Sequence, residues 1–122
     1  ILPLICYEVI FTDLVQKSSK ETNLIVNISE DAWFGESIGP DQHFVKSIFR
    51  AIENDTFFLR SANKGISAII DNKGNIIKRL NRKEAGNIEF HVPLIKSNKI
   101  KNDLIFLILL ITYLFIFQFY KK

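Results

Sequence analysis

Ile1-Leu2-Pro3-Leu4-Ile5-Cys6-Tyr7-Glu8-Val9-Ile10-Phe11 opens the chain and decides how the rest is read. An apolar run leads straight into the only cysteine, and a tyrosine and a carboxylate follow at once. The run predicts a buried strand, with Cys6 where that strand bends into a helix. Such a bend lifts a side chain out of the sheet edge and presents it to a cleft. A cysteine so placed can be a nucleophile, because a thiolate forms more readily than an alkoxide and attacks carbonyl carbon well. The same residue also fits a small buried hydrophobe, a frequent fate of free cysteine. Beyond it, Asp13 to Lys20 predicts a short surface helix with Leu14 and Val15 on one side.

The bulk properties narrow the choices. At 122 residues the chain suffices for one modest domain. It contains no Met and begins inside an apolar strand, which reads as the C-terminal part of a longer chain. A single cysteine excludes an internal disulfide and a multi-cysteine metal site. The net charge of +3 is spread over scattered lysines with no basic block, which argues against a nucleic-acid partner. No glycine-rich phosphate loop and no metal-ligand spacing stands out, so no cofactor is expected.

Asn23 to Ser29 predicts a strand. Asn27-Ile28-Ser29 and Asn54-Asp55-Thr56 match the glycosylation pattern and are read as chance matches. Glu30 to Pro40 is a turn-rich loop around Trp33 and Phe34. Asp41 is expected to start a helix in which Phe44, Val45, Ile48, Phe49 and Ile52 recur at helical steps. Phe57 to Ala62 reads as a strand, and Asn63-Lys64-Gly65 as a turn. Ile66 to Asp71 and Asn75 to Leu80 form an expected hairpin about Asn72-Lys73-Gly74. Ile88 to Val92 is expected to be a last strand, closed by Pro93.

Composition shifts at Lys96. Lysines at 96, 99 and 101 precede Leu104 to Tyr120, seventeen uncharged and mostly apolar residues, and Lys121-Lys122 end the chain. A helix of that length spans about 26 Å, which predicts a transmembrane helix with snorkelling lysines. A soluble helix would show a polar side, and this segment shows none. The expected organisation is a folded unit over residues 1–95, a basic linker over 96–103, the membrane helix over 104–120 and a basic tail at 121–122.

Chemistry concentrates around Cys6. Acyl transfer through a thioester needs a base and a stabilised oxyanion, which Cys6 and Glu8 alone do not supply. His43 is either a base or an ordinary residue at a helix start, and His91 is expected to be structural or exposed. Asp31 and Trp33 suit the edge of a cleft, although packing of the loop would explain them equally well. Arg60 and Asn63, before Gly65, either bond to the loop or the cysteine strand or simply build the turn.

Taken together the motifs resemble a known family. Ile5-Cys6-Tyr7-Glu8, Asp31-Ala32-Trp33-Phe34-Gly35, Gly39-Pro40 with Gln42-His43, Arg50-Ala51 with Glu53, and Arg60 with Asn63 and Gly65 resemble, in order and spacing, the C-terminal part of the apolipoprotein N-acyltransferases. The resemblance runs from about residue 3 to the end. It implies an α/β fold, the C-terminal part of a nitrilase-like α-β-β-α sandwich followed by one transmembrane helix. It implies a multi-pass protein of the bacterial inner membrane with its catalytic domain on the periplasmic face. The family triad is Glu, Lys and Cys, and the position matched here is Cys6. The Glu and Lys lie upstream of the cysteine and outside this chain. Tyr7 and Glu8 match residues that support the site, Trp33 matches the loop at the substrate entrance, and Asp31, Arg60 and Asn63 match loop or structural support. The implied partners are a phospholipid acyl donor, a diacylglyceryl-modified apolipoprotein acceptor and the membrane. Glu30 departs from the family, which usually has a polar amide there. The implied reaction belongs to the longer chain, and this piece alone is expected to be inactive. The rival functions are a soluble nitrilase-type amidase and a membrane-anchored binding module without catalysis.

Overall fold

The computed structural model describes residues 1–18, 22–95 and 102–120. Five strands form one mixed sheet in the order β1-β2-β3-β4-β5. They are β1 (Leu2–Ile5), β2 (Leu24–Glu30), β3 (Phe57–Asn63), β4 (Ser67–Ile70) and β5 (Ile76–Leu80). β1, β2 and β3 are parallel, and β3, β4 and β5 are antiparallel. The parallel links need crossovers, and two helices provide them: α1 (Thr12–Ser18) and α2 (Gly39–Asn54). The chain is thus α/β, as the sequence predicts. The described residues hold one sheet of the expected sandwich.

The core lies between one sheet face and the helices. Leu4, Val9, Val15, Ile25, Phe44, Ala51, Phe58, Ala68 and Ile70 are buried together there. The opposite face carries a smaller cluster of Leu24, Phe57 and Ile69, packed by Ile88, Val92 and Ile95. On that same side of the strands Ile28 stays 65% exposed. β1 is an edge strand, so of the opening apolar run only Leu4 and Val9 are fully buried, while Ile1 and Ile5 face out.

Three expectations change. The first concerns α2, which turns a different face inward from the apolar stripe. Pro40, His43, Phe44, Ser47, Arg50, Ala51 and Asn54 are buried, whereas Val45, Phe49 and Ile52 are exposed. Polar side chains win the inner face because they find partners there: Arg50 Nε donates to the Val9 carbonyl at 2.9 Å, and Asn54 Nδ2 to the Arg50 carbonyl at 2.7 Å. The second concerns Ile88 to Val92, which form no strand. This segment crosses the open sheet face instead of adding to the β5 edge, so its apolar side chains gain burial without a ladder. Both glycosylation-like asparagines, Asn27 and Asn54, are buried.

The third change concerns the end of the chain. Asn102–Tyr120 is one helix, α3, and its described apolar side chains are exposed. Thr112 Oγ1 donates back to the Leu109 carbonyl at 2.9 Å, so its hydroxyl is satisfied within the helix. Among the described residues no helix is long and apolar enough to cross a membrane. The segment predicted to be transmembrane is therefore helical without being established as a span. The end of the predicted surface helix at Lys20, the lysines at 96, 99 and 101, and Lys121-Lys122 lie outside the described residues.

Candidate active site

Cys6 stands at the carboxyl end of β1, where the chain bends into a short 3-10 helix over Cys6–Ile10. Its φ of 47° is in the left-handed region, which costs a residue with a Cβ about 1–2 kcal/mol. Such strain persists only where surrounding structure enforces it. Here Asn27 enforces it. This asparagine sits on β2 in register with Leu4. Its Nδ2 donates to the Leu4 carbonyl at 3.1 Å and to the Cys6 carbonyl at 3.2 Å, pinning the backbone on both sides of the bend.

The sulfur is half-buried and faces the end of β2. Sγ lies 3.8 Å from the Glu30 carbonyl oxygen and 3.8 Å from Ser29 Oγ. Ser29 in turn donates to Asp31 Oδ1 at 2.7 Å. Asn27, Ser29 and Asp31 alternate along β2 and its continuation, so they share the helix-facing side, where Ile25 begins the row. The face is apolar at one end and polar where the parallel strands finish, the end at which α/β sheets place their sites.

Asp31 collects the buried polar groups. It is fully buried and takes hydrogen bonds from Ser29, from His43 Nδ1 at 2.9 Å and from the Arg60 guanidinium at 2.7 Å. Burial pushes its carboxyl upward, but His43, Ser29 and Arg60 outweigh that and hold it down at about 2. Arg60 is also buried, opposite Asn27 in the β2–β3 register, and donates to Asn27 Oδ1 at 2.5 Å. Burial lowers its guanidinium from the ordinary arginine value, opposed by Asp31 and by Cys6. One cation thus reaches the cysteine twice, through Asn27 to its backbone and through Asp31 and Ser29 to its sulfur.

His43 is at the first turns of α2. Its Nδ1 bonds to the Asp31 carboxylate, and its Nε2 is buried without a hydrogen-bond partner among the described residues. Neither ring nitrogen bonds to Cys6, so this geometry does not make His43 its base. Of the two readings for Arg60, bonding to the loop or building the turn, the geometry has it within β3, bonding to Asp31 of the loop from the core. Of the two readings for Asp31, cleft edge or packing of the loop, the structure has it wholly interior, packed under the loop.

Tyr7 is half-exposed and its ring lies 5.3 Å from His43 and 6.4 Å from Phe34. Glu8 serves its own turn: Oε2 accepts the Ile5 N–H at 2.7 Å. Trp33 is 86% exposed on a short 3-10 helix over Ala32–Phe34. Asn63 ends β3, and its Nδ2 donates to Glu30 Oε2 at 2.5 Å while Glu30 Oε1 accepts the Ala32 N–H at 2.9 Å. The unusual Glu30 carboxylate is therefore occupied in holding the loop. His91 is exposed in the segment after β5. Sequence reading passed over Asn27 and Ser29 as site residues; the polar residues at every second position from Asn27 to Asp31 were the available signal.

A family profile described as carbon-nitrogen hydrolase matches residues 1–107. Apolipoprotein N-acyltransferase from Rickettsia typhi is 48% identical over 93 residues, 76% of this chain and 19% of that protein. The enzyme of the same name from Allorhizobium ampelinum is 47% identical over 72% of this chain and 17% of that protein. The chain therefore spans about a fifth of the length of these relatives. A mutant amidase of the nitrilase superfamily from Nesterenkonia AN1 is similar in fold, with TM-score 0.54, 19% identity, and coverage of 66% of this chain and 33% of that one. A carbon-nitrogen hydrolase from Helicobacter pylori G27 has TM-score 0.57, 12% identity, and coverage of 68% and 36%. On these grounds the chain belongs to the carbon-nitrogen hydrolase family, with apolipoprotein N-acyltransferases among its relatives.

Proposed function

We propose that this chain carries the nucleophile of an apolipoprotein N-acyltransferase. The observation that carries the reading is Cys6 itself, held at a strained bend with its sulfur at the end of the parallel strands. Relatives of that name, at 40–48% identity, support the choice of reaction. Cys6 Sγ attacks the ester carbonyl of a phospholipid. A C–S bond forms, the ester C–O bond breaks, and the lysophospholipid alcohol leaves with the proton that the thiol gave up. The amine of an N-terminal diacylglyceryl-cysteine then attacks the thioester. A C–N bond forms, the C–S bond breaks, and sulfur regains a proton from the amine. The base glutamate and the oxyanion-binding lysine of the family triad come from upstream of this chain.

Tyr7 and Glu8 support the site by bracing the bend, Asp31, Arg60 and Asn63 support the loop, and exposed Trp33 meets the lipid at the entrance. A second sheet from the preceding sequence covers the open face that bears Ile28. The site works at the periplasmic face of the bacterial inner membrane, with α3 lodged in the bilayer. Each methylene taken from water favours that placement by about 0.8 kcal/mol. Acyl chains then reach Cys6 without crossing water.

The test is thioester trapping with a phospholipid donor. The intact protein is expected to form an acyl-enzyme on Cys6, and this chain alone is expected to form none. Acylation of Cys6 in the isolated chain would overturn the requirement for upstream residues.

A further inference from the structure

We propose that Ser29 is a positioning residue for the Cys6 nucleophile, its hydroxyl held by buried Asp31 and set to donate to the sulfur when the sulfur is charged. This rests on the reading of Cys6 as nucleophile, but concerns a residue that reading does not use.

A hydroxyl has one hydrogen and two acceptor lone pairs. Ser29 Oγ has two acceptors within reach, Asp31 Oδ1 at 2.7 Å and Cys6 Sγ at 3.8 Å, and can donate to only one at a time. Beside a neutral thiol the carboxylate wins, because the bond is short and charge-assisted. The thiol proton then points to Ser29 Oγ or to the Glu30 carbonyl, also 3.8 Å away. When the thiol proton has left, the sulfur becomes a charged acceptor and competes for the hydroxyl hydrogen. Asp31 can release it at little loss, since Arg60 and His43 still donate to its two oxygens. The swing needs only rotation about the Cβ–Oγ bond. Ser29 itself is buried on β2 and has little freedom to drift from the sulfur. The Arg60 guanidinium supplies the positive charge behind the pair, and its attraction to Cys6 opposes the effect of its own burial.

Glu8 and Glu30, which flank the site, are otherwise engaged. Glu8 caps its own turn, and Glu30 directs its carboxylate at Ala32 and Asn63. Ser29 is thus the side-chain donor that the described residues offer to Cys6 Sγ.

The experiment uses the intact, detergent-purified protein that contains this chain, with Ser29→Ala and Ser29→Thr. Two rates are read at neutral pH: alkylation of Cys6 by iodoacetamide, followed on its own peptide, and acyl-enzyme formation from phospholipid. Ser29→Ala is expected to slow both about tenfold, with KM for the phospholipid unchanged. Ser29→Thr, which keeps the hydroxyl, is expected to stay within about threefold of the parent and carries the test if the alanine variant does not fold. Parent-like alkylation in Ser29→Ala would overturn the proposal. So would an equal loss in the alanine and threonine variants, which marks a packing role. Alkylation does not depend on any acyl donor. A Ser29 effect on alkylation without acyl-enzyme in the parent would therefore sink the transferase reading and leave the positioning role standing.

Discussion

Asp31 and Arg60 form an ion pair at 2.7 Å with neither side chain exposed to solvent. The pair joins the end of β2 to the middle of β3, and both partners bond onward toward Cys6. A buried pair of this kind contributes little net stability compared with well-packed apolar groups, yet losing one partner strands the other. Its value here is geometric, because it fixes Asn27 and Ser29 around the cysteine.

Removing the cation alone should be severe. Arg60→Met leaves Asp31 buried without its counter-charge and should destabilise the domain by about 3–5 kcal/mol. Asp31→Leu combined with Arg60→Met should recover most of that loss while Cys6 stays slow to alkylate. Chemical denaturation of the purified protein reads the first effect. If the double variant alkylated at the parent rate, the network would have no part in positioning the sulfur.

Acid should weaken the domain through Asp31. Its folded carboxyl sits near 2, below the ordinary value of 3.8, so the unfolded chain binds a proton first as pH falls. The stabilisation is fully present above about pH 4 and is lost as pH drops toward 2. The shift corresponds to about 2 kcal/mol. Asp31→Asn should flatten the acid limb of a stability–pH curve between pH 4 and pH 2, and an unchanged limb would show that Asp31 does not supply it.

Gly65 should resist any side chain. A Cβ there would collide with the Asp31 carboxylate and sit 2.9 Å from the Ala62 Cβ. Asp31 is held by three donors and cannot give way. Gly65→Ala should cost about 1–3 kcal/mol and slow Cys6 alkylation. Gly86→Ala is the control, since its nearest neighbour would be the Leu80 side chain at an ordinary 3.5 Å. Equal melting temperatures for the two variants would contradict this account of the loop.

Much of the fold was legible because local signals and tertiary packing agree. The strand-to-helix bend at Cys6, the hairpin about Gly74 and the strand at Asn23 to Ser29 all lie where pattern and turn chemistry put them. α2 is legible as a helix, but its full buried face is not. Hydropathy weighs Val45 and Phe49 above His43, Ser47 and Arg50, yet those polar residues find partners inside and the apolar ones do not. Ile88 to Val92 has the alternation of a strand, but hydrogen bonding requires an edge to pair with, which no local pattern reveals. The site was half visible. Cys6 announces itself by its place after an apolar run. Ser29 and Asn27 look like ordinary strand residues until the register sets them beside Leu4 and Arg60.

The most direct measurement is acyl transfer by the intact protein carrying Cys6→Ala, assayed on a diacylglyceryl-cysteine peptide with a phospholipid donor. The account predicts no trappable thioester and a fall in rate of at least about a thousandfold. Transfer at the parent rate would contradict it, because the account has the acyl chain carried on the Cys6 sulfur.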